Sequence, residues 1–282
     1  MADADTYEIL AVKYGSHEDR MRADNFLSPG PRMATPAQGS APPADDHATL
    51  MPLDYFVWII RNADRTLLVD TGFSRDEAPL RARKLEHDPR DVLKNIGIDA
   101  GKIEQIVISH LHYDHAGTLD HFPAARFHLQ EAEMKYATGR CMCDESMRKP
   151  FTVDHVCQMV KKVYSGRVQF HDGDGEVAPG ITVHKASGHS QGLQAVRVKT
   201  ANGYVVLASD ATHFYENIEQ RKPFSITINL EDTLRTYDRL QQLASTPKQV
   251  VPGHDPLVLK KYPAWKPETK GIVHRLDAPR LD

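Results

Sequence analysis

Ser109-His110-Leu111-His112-Tyr113-Asp114-His115-Ala116-Gly117 sets three imidazoles and a carboxylate within six residues. It follows directly on residues 103–108, where Ile103, Ile106, Val107 and Ile108 read as a buried strand. The cluster therefore sits where the chain leaves a sheet, the edge at which open α/β sheets bind ligands. Neutral imidazole is the commonest side-chain metal ligand, and a carboxylate adds charge and a hard oxygen. His110 and His112, two apart, can converge on one ion; Asp114 and His115 can face a second beside it. The chain carries 15 His in 282 residues, so chance clusters occur. This order, in register after a strand, points instead to a metal loop.

Bulk properties bound the rest. The 282 residues are 40% hydrophobic, enough for a sizeable core, and their number suits one large α/β domain or two small ones; the reading adopted is one domain over 1–282. Lys and Arg number 35 against 38 Asp and Glu, a net charge of −3. That balance offers no basic surface for nucleic acid. No apolar run is long enough to span a membrane. The start, MADADTYEIL, is acidic and unlike a secretory signal. Three cysteines, Cys141, Cys143 and Cys157, argue for a reducing compartment and a cytoplasmic location. Cys141-Met142-Cys143 has the wrong spacing for a zinc ribbon and reads as packing residues.

Strands are expected over 7–14, 53–61, 66–69, 126–129, 168–171, 181–186, 193–200, 204–209 and 249–251, from their β-branched and aromatic content. Helices are expected over 91–98, 131–137 and 153–163. A further helix carries Leu234, Tyr237, Leu240 and Leu243 on one face, with Asn229 as N-cap. Residues 16–48, rich in Pro, Gly and Ala, predict a long loop or flap. Residues 140–166 predict a helical insertion near the site. Asp70, at a strand end before Thr71-Gly72, is expected to brace a loop by accepting backbone N–H groups. The two strand-rich halves suggest two packed sheets.

Three later strand exits offer further ligands: His189 in SGHSQG, Asp210 in LASDA and His254 in VPGHD. Together with HLHYDHAG, and in this order, they resemble the metallo-β-lactamase superfamily from about Leu53 to Asp255. The resemblance implies an αββα sandwich of two mixed sheets flanked by helices, an α/β fold of the α+β type. It implies that His110, His112 and His189 hold one metal, that Asp114, His115 and His254 hold a second, and that Asp210 bridges both. Seven such ligands suit two divalent ions sharing a hydroxide. The thiolate-free set suggests zinc first, with iron, manganese or cobalt as alternatives.

Within the superfamily the chain looks most like the N-acyl homoserine lactonase branch, by its length, LVDTG, HLHYDHAG and the final GHD. The well-known β-lactamase classes vary this ligand set. Glyoxalase-II-like thioesterases add a helical C-terminal domain, and few residues follow His254 here. The tRNA-processing branch needs a basic surface. Single-iron dioxygenases share parts of the motif. The resemblance therefore implies a quorum-quenching type of lactonase that opens a lactone by attack of a metal-bridging hydroxide, with Asp114 passing the proton to the leaving alkoxide. Hydrolysis of another ester, a thioester or a cyclic amide is the alternative, and a binding module with structural metals is the non-enzymatic one. The partner is a small molecule, with no nucleic acid or membrane, and a homodimer is one option for assembly.

One position departs from the branch. Its members carry Tyr three residues after the bridging Asp, where it contacts the substrate carbonyl. Here that residue is His213, in Asp210-Ala211-Thr212-His213-Phe214-Tyr215. Either His213 or Tyr215 would steady the carbonyl in its place.

Overall fold

The computed structural model describes residues 5–27 and 48–281. Thirteen strands and eight α-helices occur among them. In chain order they are β1 Glu8–His17, β2 Leu53–Arg61, β3 Thr66–Val69, α1 Glu77–Leu80, β4 Lys84–Leu85, α2 Pro89–Asn95, β5 Gln105–Val107, β6 Arg126–Gln130, α3 Glu131–Ala137, α4 Glu145–Arg148 and α5 Val153–Tyr164. The second half holds β7 Val168–His171, β8 Gly175–Ala178, β9 Ile181–Lys185, β10 Gln194–Thr200, β11 Gly203–Ser209, α6 Tyr215–Glu219, α7 Leu230–Leu243, β12 Val250–Pro252, α8 Leu257–Lys261 and β13 Val273–Arg275.

The strands form two mixed sheets. The first runs β13-β1-β2-β3-β5-β6-β7, with β4 paired to β1; the second runs β12-β11-β10-β9-β8. In the first sheet, β2 and β3 are an antiparallel hairpin with Trp58 opposite Val69, while β3, β5, β6 and β7 run parallel. In the second only β11 and β12 are parallel.

The layering follows from strand period. Successive residues of a strand face opposite sides. Tyr55, Val57 and Ile59 of β2 join Leu10, Val12 and Tyr14 of β1 in a core that includes Leu93 of α2 and Val156 of α5. Their neighbours Phe56, Trp58 and Ile60 face Val196, Val205 and Leu207 of the second sheet. Val206 and Ala208 point the other way, onto Tyr237 and Leu240 of α7. Helix, sheet, sheet and helix thus enclose three apolar layers, and β2 reads as an unbroken apolar run because both its faces are covered. This is the αββα sandwich.

Local signals explain most boundaries. Asp88 accepts the Arg90 N–H and Pro89 takes the first helical position, so α2 starts two residues earlier than expected. Asn229 caps α7 by accepting the Asp232 N–H. The excursion expected over 16–48 begins later, because Ser16 and His17 continue β1 against Asp54 and Leu53. Residues 28–47 of that segment lie outside the described residues. Cys143 is exposed and does not pack as expected, whereas Cys141 is half-buried.

Candidate metal centre

The donors come from strand exits along one edge of the sandwich. β5 leads into His110, His112, Asp114 and His115; β9 precedes His189; β11 ends before Asp210; β12 ends before His254. Two exits leave on left-handed backbone, Asp70 at φ 62° and Ser209 at φ 47°. Non-glycine residues hold that region only when surrounding contacts over-determine them. Here Ser209 Oγ donates to Ser109 Oγ at 2.9 Å, and Ser109 Oγ donates to Asp70 Oδ2 at 2.8 Å. Gly117 closes the metal loop against the β3 exit: its N–H donates to Gly72 O, and a Cβ there would lie 2.6 Å from that oxygen.

All seven expected donors are buried and converge. His110, His112, His189 and Asp210 form one group, and Asp114, His115 and His254 another, each with donor atoms within 4.8 Å of one another. Asp210 stands between the groups. Its Oδ2 lies 3.3 Å from His189 Nε2 and 3.9 Å from His110 Nε2; its Oδ1 lies 3.1 Å from His115 Nε2 and 2.9 Å from His254 Nε2. Asp114 Oδ2 lies 3.5 Å from His115 Nε2 and 3.7 Å from His254 Nε2. The inward His110 Nε2 is buried without a hydrogen-bond partner.

The outer ring atoms are held. His189 Nδ1 lies 2.8 Å from Ile226 O, His254 Nδ1 2.9 Å from Asp54 O, and His115 Nδ1 2.8 Å from Asp70 Oδ2. Fixing one ring nitrogen aims the other inward, as ligating imidazoles require. Asp70 also accepts the Ser109 N–H at 2.7 Å, so it braces the loop as its sequence context indicated.

Burial alone would neutralise these groups, and for His110 and His112 it pushes the imidazole pKa well down. His115 behaves oppositely: burial is outweighed by Asp210, Asp114 and Asp70, which hold its pKa well above the usual imidazole range. His254 is raised in the same way by Asp210 and Asp114. Burial would raise the Asp210 carboxyl, but His254, His213 and His115 keep it well below the ordinary range. A buried set of carboxylates and imidazoles whose charges depend on one another suits divalent cations, which would replace the imidazolium protons.

His213 joins this cluster. Its Nε2 lies 3.0 Å from Asp210 Oδ2, and its ring stacks on Phe224 at 3.5 Å between centroids. Burial pushes its pKa down to about 3, so the ring is neutral. Tyr215 is not brought to the cluster, which corrects its expected role. It opens α6, its N–H donates to Asp255 Oδ2, and its ring packs in the layer between the sheets, within 5.4 Å of Lys261 Nζ.

Glu133 was not anticipated. Fully buried at the start of α3, it accepts the Leu111 N–H at 3.0 Å, the Gly192 N–H at 3.0 Å and the Ser190 hydroxyl. It thereby ties the loop of His110 and His112 to that of His189. A Cβ on Gly192 would come within 2.1 Å of the Glu133 nitrogen, so SGHSQG needs glycine there. Residues 140–166 carry α4 and α5; between them Phe151 sets its ring edge-on to His112 at 4.7 Å.

A family profile described as the metallo-beta-lactamase superfamily matches residues 50–254. The N-acyl homoserine lactonase AiiA of Bacillus thuringiensis subsp. kurstaki is 27% identical over 222 residues, 73% of this chain and 83% of that protein. A crystal structure of a quorum-quenching N-acyl homoserine lactone lactonase superposes with a TM-score of 0.68 at 23% identity, covering 90% of this chain and 94% of the other. AidC, a dizinc quorum-quenching lactonase, superposes with a TM-score of 0.65 at 16% identity, covering 90% and 89%.

Proposed function

The chain belongs to the metallo-β-lactamase superfamily, and on that premise we propose that it is a dinuclear metal-dependent hydrolase that opens a lactone ring. The substrate is an N-acyl homoserine lactone or a related cyclic ester. One observation carries the reading: the Asp210 carboxylate turns one oxygen to His189 and His110 and the other to His115 and His254. That arrangement supports a carboxylate bridging two ions.

His110, His112 and His189 would hold one ion, Asp114, His115 and His254 the other. When bound, such ions supply Lewis-acid polarisation of the ester carbonyl and a water acidified to near neutrality. The nitrogen and oxygen donor set, and the dizinc relative, favour zinc. A complete second donor group supports two ions over the single-iron dioxygenase alternative.

This chain's own residues supply the remaining steps. Asp114 is ionised, because His115 and its neighbours outweigh the burial that would raise its pKa. It accepts the proton of the attacking water and hands it to the alkoxide released when the ring C–O bond breaks. His213, neutral and fixed against Phe224, has a single N–H, now facing Asp210; once that carboxylate holds metal, the N–H would be free to donate to the carbonyl oxygen as negative charge develops there. Phe151, edge-on to His112, limits solvent at the site.

The test is hydrolysis by metal-replete protein of homoserine lactones, simple γ- and δ-lactones, a β-lactam, a thioester and an aryl ester, with Asp210→Asn as blank. Metal content is measured on the same sample. Lactone turnover with two metals per chain is the expected result. Turnover confined to the thioester or the β-lactam, or no turnover of any substrate, overturns the lactonase reading.

A further inference from the structure

Two arginines at the edge of the centre have no part in the chemistry above. Arg83 Nε donates to the Tyr113 hydroxyl at 3.0 Å. Tyr113 lies between His112 and Asp114, and its hydroxyl is 3.2 Å from that of Tyr55, whose ring meets His254 edge-on at 5.0 Å. Arg20 approaches from another side. Its guanidinium lies 5.1 Å over the Phe224 ring that stacks on His213. Arg83 is thus three contacts from His254, and Arg20 two from His213.

Nearby arginines are neutralised: Arg22 pairs with Glu216 and Arg81 with Glu77. Arg20 and Arg83 have no such carboxylate among the described residues. Arg20 is held by Asn25, the Asp24 carbonyl and Ser225, and Arg83 by the Arg81 carbonyl at 2.7 Å, the Ala82 carbonyl and the Tyr113 hydroxyl. Both are partly buried. His17 stands by both, with its Nε2 3.4 Å from Arg83 Nη1. Burial and then the charges of Arg83 and Arg20 push its pKa down to about 4, so it does not oppose them with added charge of its own at neutral pH. Ala82, directly before Arg83, sits on left-handed backbone at φ 51°, a strain held where a guanidinium is being aimed.

Two partly desolvated like charges with no carboxylate at ion-pair distance, Asp24 acting on Arg20 and Asp114 on Arg83 from beyond that range, are costly to hold. A planar guanidinium recovers that cost best when a carboxylate docks against it. We propose that Arg20 and Arg83 form an anion subsite at the mouth of the metal centre, and that the preferred substrate carries a carboxylate outside the ester that is cleaved. This rests on the lactonase reading for the scissile group but not for the anion. It distinguishes the substrate from a neutral N-acyl homoserine lactone.

Two paired comparisons test it on the metal-loaded protein. The first is calorimetric binding of a cyclopentanone carboxylate against its carboxamide, ring analogues with no C–O bond to cleave. The second is kcat/KM for a γ-butyrolactone carboxylate against its carboxamide. The expected preference for the acid is about tenfold or more in each, the scale of one charge-assisted hydrogen-bonded pair. That ratio should fall towards one in R20M/R83M and decline with added salt. Equal binding of acid and amide by the unaltered protein overturns the proposal, as does a preference that survives in the double variant. If the binding preference holds while no lactone is hydrolysed, the anion subsite stands and the lactonase reading fails.

Discussion

Glu133 Oε1 accepts the main-chain N–H of Leu111 at 3.0 Å, midway between the two histidines of the His-x-His pair. Its other oxygen takes Ser190 and Gly192, which follow His189 in its loop. The three imidazoles of the first group are therefore registered by one buried carboxylate that reaches none of them. Glu133→Gln places an NH2 group among donors and leaves at least one of them unpaired. Such a loss costs about 2–4 kcal/mol of stability. Affinity for the first metal should fall about 10- to 100-fold. Chemical denaturation and chelator competition measure the two effects; an unchanged metal affinity would limit Glu133 to a packing role.

Asp70 does for the second group what Glu133 does for the first. Its Oδ2 lies 2.8 Å from His115 Nδ1, and its Oδ1 takes the Ser109 N–H. Asp70→Asn keeps an acceptor but removes the charge that favours a basic, correctly oriented His115. One metal should be retained and the other weakened about 10- to 100-fold. Two separable steps in a chelator titration, one at its original position, would show this. Equal weakening of both would mean that Asp70 supports the whole edge and not one ligand.

These two carboxylates mark where the sequence was and was not legible. Asp70 was legible because an Asp before Thr-Gly at a strand end has a local task, and its loop lies next to it. Glu133 was not, because an acidic residue in the first turn of a helix is what any helix prefers, and its partners Leu111 and Gly192 are remote in sequence. The convergence of the candidate donors was legible because four of them fall within six residues of HLHYDHAG and the others sit alone at strand exits. Strands β8 and β13 were not: they are four and three residues long, and β13 is set by pairing with β1 across the whole chain. The choice between His213 and Tyr215 was open because offset from Asp210 does not show that a helix starts at Tyr215, leaving His213 in the loop before it.

That choice makes its own prediction. His213 lies 3.0 Å from Asp210 Oδ2, whereas Tyr215 packs between the sheets beside Lys261 and Arg280. His213→Ala should retain metal and lose about 10²-fold in kcat, the scale of one lost oxyanion donor. Tyr215→Phe keeps the ring in its apolar layer and should leave kcat and KM near their original values. Steady-state kinetics on the best lactone decides; a Tyr215→Phe variant as impaired as His213→Ala would return the role to the tyrosine.

The raised pKa values of His115 and His254 couple metal uptake to protons. Burial opposes both imidazolium charges, but Asp210 and Asp114, with Asp70 for His115, prevail. In metal-free protein these carboxylates favour the imidazolium of His115, which must lose its proton to bind a cation. Calorimetric heats of zinc binding should vary with the ionisation enthalpy of the buffer, with the slope giving protons released. The same shifts set the stability of the metal-free protein. A folded-state pKa above the unfolded value of about 6.5 gives stability that is fully present below that pH and lost as pH rises through the folded value. Metal-free protein should thus lose stability from about pH 6.5 upward, whereas the metal-loaded form, whose cations replace those protons, should not. The gap in denaturation midpoint between the two forms should widen with pH over that range. A buffer-independent binding heat, together with a constant gap, would mean that both imidazoles are already neutral before any metal arrives.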